Sequence, residues 1–216
     1  MQPTVKIDIV SDIVCPWCII GYKRLEKAMQ MFEDTVTFEL HWHPFELNPA
    51  MPEGGENLRA HLAKKYGTTL EGSIAARQRL TDMGAELGFT FNYYDEMRMY
   101  NTFKAHQLLN WAKQYGKQTE LHLTLFAAYF GEQKAVDDTE VLLAAASQVG
   151  LDSDEAREVL DSGRYAHDVK VIEASWMSRG VQAVPAVIFN EQSLLSGAQP
   201  TAIFQAQIEA LAMAAT

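Results

Sequence analysis

Both cysteines of the chain, Cys15 and Cys18, fall within residues 11–22, S-D-I-V-C-P-W-C-I-I-G-Y. Thiols three residues apart share about one helical turn and can close a disulfide with each other. Such a pair cycles between dithiol and disulfide, and the thiol of lower pKa and greater exposure attacks first. A helix N-terminus carries unsatisfied N–H groups and about half a unit of positive charge, which favours a thiolate. A Cys15 placed there is expected to ionise readily. Zinc is the competing use, but a structural zinc needs four ligands and no second C-x-x-C exists. The closely spaced His41 and His43 would have to complete the set, so no metal site is expected.

The flanking residues supply the required positions. Val5, Ile7, Ile9, Val10, Ile13 and Val14 make an apolar, β-branched approach to Cys15, and residues 4–10 read as a buried strand. Tyr22, Leu25, Ala28, Met29 and Phe32 then recur at helical spacing, so residues 16–33 read as a helix. Pro16 suits its first turn, where the N–H that proline lacks would have no partner. Residues 36–43 alternate, with Val36, Phe38, Leu40 and Trp42 on one face and Thr37, Glu39, His41 and His43 on the other, which predicts a second strand. Strand, helix, strand in so short a span implies a parallel pair with a crossover helix.

Pro44, Pro49 and Pro52 with Gly54 and Gly55 end that unit. Helical patterns then follow at 57–66, 71–87, 102–115, 118–130, 138–149 and 153–161, with glycines near their ends and Asp138 and Ser153 as N-cap candidates. Phe89, Phe91 and Tyr93 suggest a short extended piece. A helix at 169–179, strands at 186–190 and 193–196, and a terminal helix at 200–213 complete the chain. The layout is α/β with a large all-helical insertion: residues 1–55 and 164–216 form a discontinuous catalytic domain, and residues 56–163 form the insertion.

The 216 residues can bury a substantial core, and 48% hydrophobic with 21% charged content is ordinary for a globular protein. Eighteen basic against 28 acidic residues give a net charge of −10, which argues against nucleic acid or an anionic membrane as partner. No stretch approaches the ~18 apolar residues of a membrane span. The N-terminus shows no export signal, and the only two cysteines belong to one motif, so a reducing compartment, the cytoplasm, is expected.

The ordered set S-D-I-V-C-P-W-C-I-I-G, W-H-P-F-E-L-N-P, M-Y-N-T-F-K-A-H-Q-L-L, L-F-A-A-Y-F, V-D-D-T-E-V-L and G-V-Q-A-V-P-A-V-I-F-N followed by L-L-S-G-A-Q-P resembles the DsbA branch of the thioredoxin superfamily. More narrowly, it resembles the cytoplasmic FrnE-like proteins of the DSBA oxidoreductase family. The resemblance implies a DsbA-like thioredoxin fold with a helical insertion, Cys15 as nucleophile, Cys18 as resolving cysteine, and Pro185 as the cis-proline whose loop lies against the thiols. Val184 would then offer its main chain to an extended substrate peptide. The dipeptide Pro16-Trp17 departs from the Pro-His of periplasmic DsbA, so no charged side chain sits between the cysteines to stabilise a thiolate. Trp17 offers a flat apolar face for substrate; the other reading is a core-facing indole.

Asn101 and His106, in the shared M-Y-N-T-F-K-A-H segment, are candidates for lining a substrate cleft; for His106 the alternative is a helix residue satisfied by a backbone carbonyl. Asp8 and Asp12 are candidates for a buried carboxylate of raised pKa that accepts a proton from Cys18; solvation at the surface is the equal alternative.

The expected activity is thiol–disulfide exchange on protein or small-molecule substrates, with no cofactor and with glutathione entering only as a redox partner. The alternative is a glutathione-dependent enzyme of the kappa transferase or 2-hydroxychromene-2-carboxylate isomerase type. Those enzymes typically carry serine at the position of Cys15.

Overall fold

A computed structural model describes residues 2–214 of the chain. In chain order its elements are β1 (Thr4–Ser11), α1 (Pro16–Gln30), β2 (Thr37–Pro44), β3 (Glu56–Asn57), α2 (Leu58–Tyr66) and α3 (Leu70–Glu86). Then come β4 (Arg98–Met99), α4 (Phe103–Ala112), α5 (Gln118–Phe126), α6 (Thr139–Gln148), α7 (Ser153–Ser162), α8 (Ala166–Ser178), β5 (Ala186–Phe189), β6 (Ser193–Ser196) and α9 (Thr201–Ala214). The contacts divide the chain into two compact units. One comprises the chain through Phe45 together with the chain from Ile172 on, and the other is Glu46–Val171.

The first unit is built on β1. Its side chains alternate, and both sets are mostly buried, because strands flank it on either side in the order β2-β1-β5-β6. β2 runs parallel to β1, from Thr4 opposite Thr37 to Ser11 opposite Pro44, and α1 makes the crossover. β5 is antiparallel to β1, with Ile7 opposite Phe189, and β6 closes the sheet antiparallel to β5. On the Ile7 face, Phe189 meets Phe204 of α9 at 6.5 Å and Tyr22 of α1 meets Trp42 of β2 at 5.0 Å. On the opposite face Val10, Ala186 and Ile188 pack with Trp176 of α8 and Val181. Each such aliphatic side chain removed from water stabilises the sheet by about 1.5–3 kcal/mol.

The β5–β6 turn uses Asn190 and Glu191 at positive φ, 49° and 58°. Asn190 locks that turn to β1: its N–H donates to the Lys6 carbonyl at 2.9 Å, and its Oδ1 accepts from the Lys6 N–H at 2.9 Å.

The second unit is the helical one. α4 is its centre, burying Ala105, Leu108, Leu109, Trp111 and Ala112 and packing against α5, α6 and α7. α5 runs on into a π-helical segment, Ala127–Gly131, that carries buried Tyr129 and Phe130. Gly67 and Gly163 end α2 and α7 in the left-handed conformation, as the spacing of glycines predicts.

Two sequence expectations are corrected. The N-cap of α7 is Asp152, whose carboxylate accepts from the Glu155 N–H, rather than Ser153; the charged acceptor one residue earlier wins. Phe89, Phe91 and Tyr93 form no strand but meet Phe130 edge-on in an aromatic cluster, and extended pairing falls instead on β3 with β4, too short to show a period. The chain passes between the two compact units at 45/46 and 171/172, against the 55/56 and 163/164 drawn from the sequence. The loop after β2 belongs with the helical unit because Arg98 binds the Gly54 and Gly55 carbonyls and Glu46 pairs with Lys170.

Candidate active site

β1 delivers the chain to Ser11, and a turn closes there: the Cys15 N–H donates to the Asp12 carbonyl at 3.0 Å. Cys15 is the N-cap residue of α1, extended at φ −92° and ψ 111°, and its side chain makes no capping hydrogen bond. Pro16 opens the helix, and the Cys18 N–H donates to the Cys15 carbonyl at 3.1 Å. One residue thus stands at the helix mouth and the other inside the first turn. Both thiols are free, 3.3 Å apart, and so within reach of a disulfide after a small rotation.

The loop before β5 meets this turn. The Cys15 Sγ lies 3.8 Å from the Val184 carbonyl oxygen, and the Val184–Pro185 peptide bond is cis. Gly21 permits the approach of α1 to that loop, since a Cβ at position 21 would stand 3.2 Å from Cγ of Pro185 and 3.4 Å from Cα of Ala198.

A redox-capable pair at a helix mouth beside a cis-proline is the arrangement the motifs resemble, and comparison with known proteins identifies its family. The family model described as DSBA-like thioredoxin domain matches residues 6–209. This chain belongs to the DSBA-like thioredoxin domain family. The structure of a probable DsbA oxidoreductase from Streptomyces coelicolor is 31% identical, with TM-score 0.89 over 96% of this chain and 89% of that one. The uncharacterized protein YwbO of Bacillus subtilis (strain 168) is 27% identical over 207 residues, 95% of this chain and 96% of its own. The cytosolic disulfide reductase DsbM of Pseudomonas aeruginosa, in its structure with GSH, shares the fold at TM-score 0.63 and 14% identity, over 95% of this chain and 98% of that one.

In this DSBA-like domain the two thiols hardly differ in exposure, at 4% for Cys15 and 1% for Cys18. Position and electrostatics separate them instead. Burial pushes the Cys18 thiol well up, and the hydrogen bond and charge of Cys15 push it further the same way. Two contacts oppose this, a main-chain hydrogen bond from Asp12 and a side-chain hydrogen bond from Ser11. Ser11 stands in the quoted motif but carries no sequence signal of its own beyond being the last strand residue before the turn.

Asp8 differs from expectation. It is buried on β1, and burial alone would raise its carboxyl, but the His43 hydrogen bond and charge, joined by Lys6, outweigh that and hold it below its ordinary value. Its Oδ1 meets His43 Nε2 at 2.7 Å. An ionised, paired carboxylate is a poor proton acceptor for Cys18. Asp12 reaches the pair through its main chain.

Trp17 is 45% exposed, which rules out the core-facing indole, and it sits between the thiols in sequence with its apolar surface in solvent. Asn101 and His106 belong to the helical unit. Asn101 builds the start of α4, accepting from the Phe103 N–H at 2.9 Å and donating to the Met51 carbonyl at 3.1 Å. With Met51, Glu53, Lys104 and Asp137 it also lines a pocket of about 250 Å³. His106 is 2% exposed and acts through charge on His122, whose ring burial pushes well below the ordinary histidine value. Among the described residues no helix is long and apolar enough to cross a membrane.

Proposed function

We propose that the chain is a thiol–disulfide oxidoreductase that works through a mixed disulfide on Cys15, resolved by Cys18. The observation that carries this reading is the asymmetry of the pair: Cys15 ends the turn as a helix N-cap with no capping duty, while Cys18 lies inside the helix with its thiol held protonated by burial and by Cys15.

In the reducing direction the Cys15 thiolate attacks one sulfur of a substrate disulfide; the new S–S bond forms as the substrate bond breaks, and the other substrate sulfur leaves with the electron pair. Cys18 then loses its proton and attacks Cys15. The Cys15–Cys18 disulfide forms, and the second substrate sulfur departs and takes up a proton. The oxidising direction is the reverse. Val184 contributes main-chain pairing to an extended peptide, Pro185 shapes the loop that presents it, and Pro16-Trp17 contributes the apolar contact. The supporting geometry is the 3.8 Å approach of Cys15 Sγ to the Val184 carbonyl and the exposure of the indole.

The substrates are protein or small-molecule disulfides, glutathione is the redox partner, and the compartment is the cytoplasm, as for FrnE-like proteins. A cysteine rather than a serine at position 15 supports this reading over the glutathione-dependent isomerase alternative. An insulin-type reduction assay tests it. Wild type is expected to reduce the substrate and Cys15→Ser to show only the background rate; equal rates would overturn the reading.

A further inference from the structure

α1 carries the thiols at its mouth and meets, further along, the segment that follows β6. The β5–β6 ladder puts Ala186 opposite Ser196, and one step beyond it the Gly197 N–H donates to the Pro185 carbonyl at 2.8 Å. Residues 196–199 then close on themselves: the Gln199 N–H donates to the Gly197 carbonyl at 2.9 Å and the Gln199 side chain to the Ser196 carbonyl at 2.6 Å. This ladder ties Pro185 to the turn after β6 but ties neither to α1. Arg24 makes that connection. It stands three residues after Gly21 on α1, half-buried, and its guanidinium donates to the Ala198 carbonyl at 2.8 Å. A Cβ at position 21 would meet Pro185 and Ala198 together, so Gly21 and Arg24 press one face of α1 against the Pro185 loop and the Gly197-Ala198 turn.

At the mouth itself the tie is weak and temporary. The Cys15 Sγ approaches the Val184 carbonyl oxygen at 3.8 Å, a thiol is a poor donor, and a Cys15 joined to substrate has no S–H left to donate. The loop must therefore hold an extended peptide just when Cys15 can no longer hold the loop. A hydrogen bond from a charged guanidinium is stronger than one from a thiol, and it is indifferent to the redox state of Cys15. Resting on the oxidoreductase reading, we infer that Arg24 is a positioning residue for peptide substrates: it pins the Gly197-Ala198 turn to α1 and, through the Gly197–Pro185 hydrogen bond, keeps the main chain of Val184 beside the mixed disulfide. Its effect passes through the loop rather than through the sulfur atoms. Small disulfides, which make no main-chain pairing, gain nothing from it, so Arg24 favours peptide over small-molecule substrates.

Arg24→Met keeps most of the apolar stem and removes the donor, and Arg24→Gln, too short to reach the carbonyl, is a second variant expected to behave alike. Loss of a charge-assisted hydrogen bond is expected to raise KM for a peptide disulfide about tenfold with a much smaller change in kcat. Alkylation of Cys15 by iodoacetamide, which needs no main-chain pairing, is expected to keep the wild-type rate. Hydrogen exchange at the Gly197 amide is expected to speed up about tenfold, with the Asn190 amide at the far end of the β5–β6 pair unchanged. Arg24→Lys, which can still donate to a carbonyl, is expected to recover most of the loss. A wild-type KM, wild-type exchange at Gly197, or an alkylation rate that falls in step with peptide turnover would each overturn the assignment. Amide exchange and alkylation need no turnover, so these outcomes are distinct from failure of the oxidoreductase reading, which would appear as absence of disulfide exchange in the wild-type chain.

Discussion

The Sγ of Cys15 lies 3.8 Å from the carbonyl oxygen of Val184, so the helix mouth and the loop before β5 face each other across one atomic contact. Two stretches far apart in the chain are thereby joined. Their meeting is possible because α1 presents a glycine, Gly21, where a side chain would strike Pro185.

Gly21→Val is accordingly expected to push the Pro185 loop away from the thiols. Overpacking of this kind costs about 1–3 kcal/mol, which the unit should survive. Exchange on a peptide substrate is expected to fall at least tenfold with the thermal unfolding transition still cooperative. Retention of full activity would mean that the contact is dispensable.

Asp8 predicts a pH dependence. Its carboxyl is held below the ordinary value of 3.8, so the folded state favours the ionised form. The stabilisation is therefore complete above that value and is lost as the pH falls through the depressed folded value. Asp8→Asn is expected to lower stability at neutral pH by about 1.5–3 kcal/mol, the usual range for a hydrogen bond to a charged group. In strong acid the gap between variant and wild type should narrow. Urea unfolding of both proteins over that range measures it, and a gap that widens in acid would contradict the assignment.

In the helical unit, a Cβ at Gly84 would stand 2.5 Å from Cδ2 of Phe91 and 2.7 Å from the Phe89 carbonyl oxygen. Gly84→Ala therefore forces the aromatic cluster of Phe89, Phe91 and Phe130 to move, at about 1–3 kcal/mol. Chemical denaturation is the measurement. A loss below a few tenths of a kcal/mol would show that the cluster yields freely.

Trp17, nearly half exposed beside the thiols, has apolar area to offer a substrate rather than to the core. Trp17→Ala should leave thermal stability almost unchanged and raise KM for apolar peptide disulfides several-fold, with a smaller effect on kcat. Steady-state kinetics on peptides with and without an apolar residue next to the cysteine would separate the two parameters.

Where the sequence is read correctly, the physics is local. Pro16 and the change from strand to helical spacing place Cys15 at the helix mouth, and Asp138 caps α6 by accepting from the Glu140 and Val141 N–H groups. Where it misleads, the deciding partner is distant. An aspartate in an apolar strand signals a buried carboxyl, but His43, on the neighbouring strand, fixes its charge state, and nothing along β1 reports that residue. Phe89, Phe91 and Tyr93 alternate like a strand, yet they pack around Gly84 and Phe130, from two different helical segments. Ser11 is plain in the motif, but its contact with Cys18 follows from how the turn folds back, which spacing alone does not encode.

The central claim is an order of attack, Cys15 first and Cys18 second, and covalent trapping reads it directly. Cys15→Ser and Cys18→Ser are each incubated with a peptide disulfide, and the adducts are mapped by mass spectrometry. The account predicts a stable mixed disulfide on Cys15 in the Cys18→Ser protein and little adduct in the Cys15→Ser protein. Adducts forming faster on Cys18 of the Cys15→Ser protein than on Cys15 of the Cys18→Ser protein would contradict it.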